Sequence, residues 1–361
     1  MFTDGEVIQM KSSYLEEDVT LLLKDISGMV EPMETKDREV RIQAGVHYCE
    51  MLPVEYKPTQ KYIEIYENML EIFSASTAEA VSVVSQKIWN RTGRNTVIIS
   101  LARAGTPIGI LIKRYMRKKY GVQIPHYSIS IIRERGIDKN AMKYILNNHE
   151  AKNIIFVDGW IGKGAILNEL RKELINYPEV DSSIAVLADP AHLTELCGTH
   201  NDILIPNSCL NSTVSGLISR TFLRSDIIGE NDFHGAAFYD NLKDEDRTYE
   251  FIESVEKEFL FDNLLTREND ISPDINGFEE VTKIAENYSI DNINLVKPGI
   301  GETTRVLLRR VPWKVLINSD YKDSIELKHI IQLASEKNVS IEYADMVNYK
   351  CCGLIKNMAD A

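Results

Sequence analysis

The spacing of apolar residues changes along the chain near residue 96. Before it, apolar residues recur every three or four positions in Asp18–Ile26 and Tyr62–Phe73, which predicts amphipathic helices. After it, β-branched apolar runs alternate with helical patterns, which predicts a mostly parallel sheet with helices on both faces. The predicted strands are Val97–Leu101, Tyr127–Ile132, Asn153–Val157, Ser183–Ala188 and Asp202–Ile205, and the predicted helices are Ile108–Lys119 and Ala165–Asn176.

Parallel sheets of this kind bind their ligands outside the carboxyl ends of the strands. The loops that follow Leu101, Ile132, Val157 and Ala188 are therefore expected to converge on one crevice. Any residue with binding or catalytic chemistry in these loops becomes a candidate site residue.

The same patterns divide the chain into four parts. We expect an N-terminal helical extension over residues 1–95 that packs on the core, and an α/β domain over 96–262. Residues 263–286 are rich in Asn, Asp, Ser, Pro and Gly, which predicts a linker. Residues 287–361 again alternate between strand and helix patterns, which predicts a further small domain of strands and helices.

Composition narrows the class of protein. The 361 residues are 44 % hydrophobic and 26 % charged, as in soluble globular proteins. A net charge of −13 argues against a whole chain built to bind nucleic acid or an anionic membrane, although a local basic face stays open. No apolar run reaches the roughly 20 residues that a membrane span needs, and no signal peptide is recognisable.

Cysteine usage points to a reducing compartment. The chain has five cysteines, an odd number, and none is in a paired CxxC spacing. We therefore expect a cytoplasmic protein without a disulfide framework or a structural zinc site.

The most distinctive motif is Ile154–Ile166, a strand that ends in Asp158 and passes three glycines before a helix. Glycines at such a turn aim backbone N–H groups at a ligand, and the helix N-terminus favours a phosphate. Asp158 would then hold ribose hydroxyls; the alternative is a tight turn in which Asp158 only caps the helix. The order of the glycines does not fit a dinucleotide fingerprint, and Gly164 after Lys163 does not fit a Walker A loop, which disfavours an NAD enzyme and an ATPase.

Two further loops carry candidate anion-binding side chains. Ser100–Pro107 is a strand, a turn of small residues and a helix start, in which Arg103 would clamp a pyrophosphate. Arg133–Lys143 is polar and would close over a polyanion as a lid. The alternative for both is a solvated loop.

Together the three loops resemble those of a type I phosphoribosyltransferase. More closely, the chain resembles the phosphoribosyltransferase-like proteins of bacterial tellurite-resistance (Ter) stress clusters, some of which are also labelled StiP cysteine proteases. Beyond the loops, the resemblance rests on Ser12–Asp25, Ile42–Pro53, Ala188–His192 and Asn211–Arg220. It implies a type I phosphoribosyltransferase-like fold.

The resemblance also implies a reaction. An unidentified nitrogen nucleophile would displace pyrophosphate from phosphoribosyl pyrophosphate (PRPP), with Mg²⁺ held mainly through the substrate rather than by protein ligands. The implied catalytic residues are Asp158, Arg103, Arg133, Arg135 and Lys139. The implied phosphate and pyrophosphate ligands are Ala102, Ala104, Gly105, Thr106, Gly159, Trp160, Ile161, Gly162, Lys163, Gly164 and Ala165.

This glycine loop departs from the usual phosphoribosyltransferase pattern. Two adjacent acidic residues commonly hold the ribose, whereas here Asp158 is followed by Gly159. The loop also ends without the usual hydroxyl residues, which leaves the identity of the phosphoribosyl compound open.

The last part of the chain resembles the Pelota/L7Ae-type RNA-binding domain, on Lys297–Arg310, Trp313–Asn318 and Ile325–Asp345. The resemblance implies RNA contacts by Gly299, Gly301, Glu302, Thr304, Arg305 and Arg309. The alternative is a domain used for dimerisation or substrate presentation, and a homodimer is left open.

A cysteine-dependent hydrolase is the main alternative to the transferase. Cys197 lies between His192 and His200 with Asp189 nearby, and Cys209 follows Asn207 and Ser208. His47 neighbours Cys49. A cysteine nucleophile needs a histidine within hydrogen-bond reach, which proximity in sequence does not establish. A non-catalytic protein that responds to PRPP or RNA is the third hypothesis.

Overall fold

The computed structural model describes residues 10–265 and 275–357. Its helices in these ranges are α1 (Thr35–Gln43), α2 (Gln60–Thr92), α3 (Gly105–Tyr120), α4 (Lys139–Asn148), α5 (Ala165–Leu174), α6 (Thr248–Lys257), α7 (Gly277–Asn287), α8 (Ile300–Arg309) and α9 (Lys328–Glu336). Its strands are β1 (Thr20–Leu21), β2 (Lys24–Asp25), β3 (Val97–Leu101), β4 (His126–Ile129), β5 (Ile131–Ile132), β6 (Gly136–Ile137), β7 (Ile154–Val157), β8 (Ile184–Ala188), β9 (Cys197–Thr199), β10 (Gly235–Ala236), β11 (Val296–Pro298), β12 (Pro312–Asn318), β13 (Ser340–Ala344) and β14 (Cys351–Ile355).

The central sheet has six strands in the order β1-β4-β3-β7-β8-β9, and all of its pairings are parallel. Alternate residues of its strands face opposite sides. Ile98 and Ile155 pack with α2 and α3 on one side, whereas Ile99 and Phe156 pack with α4 and α5 on the other. The predicted mostly parallel sheet with helices on both faces is thus confirmed. The narrower assignment to a type I phosphoribosyltransferase fold stays a prediction.

The C-terminal region has its own four-stranded sheet in the order β11-β14-β12-β13. Helices α8 and α9 pack on one face of it together with Val315 and Ile317, and α7 packs on the other face with Leu316 and Leu354. This is the α/β/α layering of the Pelota/L7Ae-type domain that the last part of the chain resembles, and its strands and helices alternate as predicted.

Two of the elements predicted before residue 265 are wrong. Asp18–Ile26 is not a helix, because Thr20 and Leu21 pair as a strand with β4. The next strand, β2, pairs with β10, which lies more than 200 residues further along the chain. Asp202–Ile205 is not a strand; β9 takes the edge position beside β8 instead. The N-terminal extension, described here from residue 10, therefore contains strands as well as helices.

The end of the predicted linker is helical. Residues 266–274 lie outside the described part of the chain, but α7 occupies residues 277–287. The Asn276 side chain accepts hydrogen bonds from the N–H groups of Phe278 and Glu279, and the Glu279 carboxylate accepts one from Asn276 N–H. This capping box explains why a helix starts in a polar segment.

We expect Asn276→Ala to lower the free energy of unfolding by about 1 kcal/mol, because it leaves N–H groups at the start of α7 without an acceptor. Urea denaturation of the two proteins measures this change. An unchanged midpoint would show that the cap does not hold the helix in place.

Among the described residues, no helix is long and apolar enough to cross a membrane.

Candidate functional site

A cleft of about 1090 Å³ separates the central sheet from the C-terminal region. Three of the four loops predicted to converge do so: the loops after β3, β5 and β7 all line it, whereas the loop after β8 does not. The opposite wall comes from β11 and α8. The cleft is therefore formed jointly by the two regions of the chain.

Arg103 lies on the wall of the cleft but is already neutralised. Its Nη1 donates to Glu55 Oε1 at 2.9 Å and to the carbonyl of Ile218 at 2.8 Å, and only 7 % of the residue is exposed. Ala102 and Ala104 also line the cleft, whereas Gly105 and Thr106 are buried in the first turn of α3. Sequence reasoning missed Glu55, since no local signal connects residues 48 positions apart.

The glycine loop lies on the floor of the cleft. Asp158 and residues 160–165 line it, and burial raises the pKa of Asp158 to about 6. Lys163 does not stand ready for a phosphate, because its Nζ donates to the carbonyls of Ile293 and Val296. Burial lowers the pKa of Lys163 to about 7.

The predicted lid is largely ordered structure. Strands β5 and β6 form a short hairpin, and Lys139 is exposed in the first turn of α4, away from the cleft. Arg133 lines the cleft and donates to Asn294 Oδ1 at 2.9 Å. Arg135 forms an ion pair of 3.0 Å with Glu50.

The residues predicted to contact RNA lie on the side of the C-terminal region that faces residues 10–265. A side chain at Gly301 would collide with the indole of Trp160. Gly299 lies where Asp202 meets the start of α8, because the N–H of the next residue, Ile300, donates to Asp202 Oδ1. Thr304 is buried against His329 at 2.8 Å. Glu302, Arg305 and Arg309 line the cleft, and the Arg305 guanidinium lies 4.3 Å from the Trp160 ring.

A cysteine and a histidine meet beside this cleft. His47 Nδ1 lies 3.0 Å from Cys49 Sγ, and His47 Nε2 lies 3.1 Å from the carbonyl oxygen of Arg133. A carbonyl only accepts, so Nε2 carries the proton and Nδ1 presents its lone pair to the thiol. Tyr48, between the two residues, lines the cleft.

Burial controls both groups of this pair. Cys49 is fully buried, which raises its thiol pKa to about 11, and its Sγ also lies 3.5 Å from the carbonyl of Leu223. Burial together with the nearby charge of Arg135 lowers the pKa of His47. Both groups are thus neutral at pH 7, as a thiol and an imidazole.

A second pair lies at the edge of the sheet. His200 Nε2 is 3.4 Å from Cys197 Sγ, and His200 Nδ1 donates to the carbonyl of Asp189 at 2.9 Å. Neither Cys197 nor His200 lines the cleft, and Cys197 packs in the core under α5. Among the described residues, no group of three or more His, Cys, Asp or Glu side chains could hold a metal ion.

Comparison with known proteins assigns the chain to a family. Residues 12–256 match the model of the tellurite-like stress resistance cysteine protease StiP. The chain is 35 % identical over 364 aligned positions to the cysteine protease StiP of Acinetobacter baylyi. This alignment covers 96 % of this chain and 94 % of the relative. The chain belongs to the StiP family. Residues 275–357 match the Pelota RNA-binding domain.

These matches correct the predicted function. The phosphoribosyltransferase reading was wrong, because the family model and the relative both carry the name of a cysteine protease, which corresponds to the alternative. The resemblance to StiP proteins and to a Pelota domain is confirmed. Nothing in these matches supports PRPP or a transferase. Mg²⁺ binding and a homodimer stay predictions, as do the individual site residues.

Proposed function

We propose that this chain is a cysteine peptidase in which Cys49 is the nucleophile and His47 the general base. The observation that carries the proposal is the 3.0 Å approach of His47 Nδ1 to Cys49 Sγ, with Nε2 held by the carbonyl of Arg133. A nucleophile, a base and a group that orients the base are the three parts that cysteine catalysis needs.

The other cysteines fit this role less well. Cys351 and Cys352 lie outside residues 12–256, which the StiP model matches. Cys209 is buried beside the hydroxyl group of Ser208, and burial raises its thiol pKa. Cys197 has His200, but no residue from 185 to 219 lines the cleft, whereas Tyr48, between His47 and Cys49, does. Cys197 is therefore the second candidate nucleophile, and the first experiment must distinguish it from Cys49.

The raised thiol pKa determines how the reaction would start. A thiol with a pKa of about 11 is protonated at pH 7, so its proton must leave as Sγ attacks the carbonyl carbon of the substrate. His47 Nδ1 receives that proton and then delivers it to the leaving amine as the C–N bond breaks. Water hydrolyses the resulting thioester and returns the free thiol.

Positive charge supports the thiolate that forms during attack. Both Arg135 and Arg220 favour the ionised form of Cys49. Because Cys49 is fully buried here, substrate must displace part of its cover before the attack. The described arrangement thus corresponds to a resting form of the site.

The rate should fall at acid pH as His47 becomes protonated. A base acts only above its pKa, and the pKa of His47 lies below its ordinary value of 6.5. We therefore expect kcat/KM to be constant near pH 7 and to decline only below about pH 6.5. His47→Gln should remove this decline together with most of the activity. A decline that begins at pH 8, as for a free thiolate with an ordinary pKa, would contradict the role of His47.

RNA binding is a second candidate function, supported by the Pelota match over residues 275–357. Fluorescence anisotropy of a labelled RNA hairpin with the full chain tests it. Binding that weakens steeply with salt would support the proposal, since phosphate contacts release counterions. Binding no tighter than that of a neutral polymer would end it.

We also propose a narrower assignment of the fold, which concerns the architecture of the sheet and not the reaction. The six parallel strands and the glycine turn after β7 support a sheet of the type I phosphoribosyltransferase kind, used here without that reaction.

A further inference from the structure

We propose that the cleft binds an acidic peptide segment, so that the substrates of this peptidase carry Asp or Glu near the cleaved bond. This inference rests on the proposed function and names its substrate class. The evidence for it is a group of four cationic side chains that line the cleft, namely Lys163, Arg220, Lys297 and Arg309.

None of these four cations has a carboxylate partner among residues 10–265 and 275–357. Lys163 donates to two backbone carbonyls, and Arg309 donates to the side-chain oxygen of Asn211. Arg220 lies over the Tyr48 ring at 4.2 Å, and no side-chain hydrogen bond is found for Lys297. Cations in such surroundings are costly unless an anion compensates them.

Burial acts on these groups in the expected direction. It lowers the pKa of Lys297 to about 8 and that of Arg220 to about 9. The negative charge of Glu302 opposes the shift at Lys297, whereas nearby arginines lower the pKa of both groups further. Arg103 adds a further donor, because its Nη2 is buried without a hydrogen-bond partner. A bound carboxylate would relieve the mutual repulsion of these groups.

Cations outnumber carboxylates on the surface of the cleft, where nine Lys and Arg side chains face four carboxylates, Glu134, Asp158, Asp291 and Glu302. Glu302 is paired with Arg305 at 2.7 Å, and Glu134 with Arg133 at 3.2 Å. Asp158, with its pKa of about 6, is mostly ionised at pH 7 and contributes one of these four negative charges. The surface of the cleft is therefore positive in a chain whose net charge is −13. An acidic segment is repelled elsewhere and attracted here.

The positive wall is continuous with the cysteine and histidine pair. Arg220 stacks on Tyr48, which immediately precedes Cys49, and the carbonyl of Arg133 orients His47. A peptide whose acidic side chains reach Arg220 would bring its backbone close to Cys49. This placement favours a peptide over a nucleic acid as the occupant of the cleft.

The test measures binding separately from catalysis. Three fluorescein-labelled twelve-residue peptides share the same Gly, Ala and Leu positions and differ only in carrying Glu, Gln or Lys at four positions. Anisotropy is measured with the full-length Cys49→Ala protein, which cannot turn the peptides over. We expect the Glu peptide to bind at least tenfold more tightly than the Gln peptide, and the Lys peptide not to bind.

Charge removal then locates the site. Lys297→Met and Arg220→Met, each added to Cys49→Ala, should weaken binding of the Glu peptide roughly fivefold. Lys143→Met, which removes an exposed cation on α4, is the matched control and should leave binding unchanged. Circular dichroism confirms that each variant is folded.

Other outcomes would overturn the proposal. Equal binding of the Glu and Gln peptides, or effects of Lys143→Met as large as those of Lys297→Met, would show that the cleft does not select acidic segments. A single-stranded RNA that binds in a Lys297-dependent way when the Glu peptide does not would assign the cleft to RNA. Cleavage that persists in Cys49→Ala would refute the proposed nucleophile but not the binding result, so the two failures are distinguishable.

Discussion

Replacing Cys49 with alanine is expected to lower the rate of peptide hydrolysis by about a thousandfold or more. The loss follows because Cys49 Sγ forms the covalent bond to the substrate in the proposed mechanism, and removal of a nucleophile typically costs several orders of magnitude. The rate is measured as kcat/KM on a quenched fluorescent peptide that carries Glu residues. The same thermal unfolding midpoint in both proteins would show that the loss is chemical.

The chain offers matched controls for this experiment. Cys209→Ala removes a buried thiol for which no hydrogen bond to a histidine is found in residues 10–265 and 275–357. Cys197→Ala removes the thiol beside His200. We expect both variants to keep most of the activity. Loss of activity in Cys197→Ala with a normal rate in Cys49→Ala would move the nucleophile to the edge of the sheet.

Glu55→Ala is expected to destabilise the fold by about 3–5 kcal/mol, because it leaves the buried charge of Arg103 without a partner. The side chains of Arg103 and Glu55 are only 5 % and 4 % exposed, and they form an ion pair of 2.9 Å. Urea denaturation of the full chain measures the difference. The second variant, Glu55→Ala combined with Arg103→Met, removes both charges and should recover most of the lost stability. A double variant no more stable than Glu55→Ala would contradict this explanation.

Local patterns were sufficient for the strands in the middle of the sheet. Strands β3, β7 and β8 are runs of largely apolar residues in which Ile and Val recur, and all their residues are buried, as in a parallel sheet covered on both faces. The rule that ligands bind at the carboxyl ends of such strands also located the cleft, with Asp158 and Arg133 on its wall. The features that local patterns predicted correctly are thus those that a few neighbouring residues determine.

The remaining features depend on contacts between distant residues. Thr20 and Leu21 were predicted as helix because their spacing fits one, whereas the partner that holds them extended is Tyr127–Ser128. The charge of Arg103 suggested a ligand, whereas its partner is Glu55. Such pairings are invisible in a local pattern, and each changed the interpretation of a residue.

The function was misread for a related reason. The loops with Asp158 and Arg103 have the residue types of a phosphate site, and the transferase hypothesis built on them was preferred to the cysteine hydrolase. Proximity of His47 and Cys49 in sequence does not show that Nδ1 faces Sγ. It is the carbonyl of Arg133, 86 residues from His47, that turns the imidazole toward the thiol.

Covalent labelling tests the central claim most directly. A peptidyl vinyl sulfone with Glu residues is incubated with the wild-type chain and with His47→Gln at pH 7, and the labelled peptide is identified by mass spectrometry. If Cys49 is the nucleophile and His47 its base, one equivalent of label attaches to Cys49 in the wild type, and labelling of His47→Gln is slower by a hundredfold or more, as expected for loss of a general base. Labelling of Cys197 instead, or equal rates in the two proteins, would contradict the account.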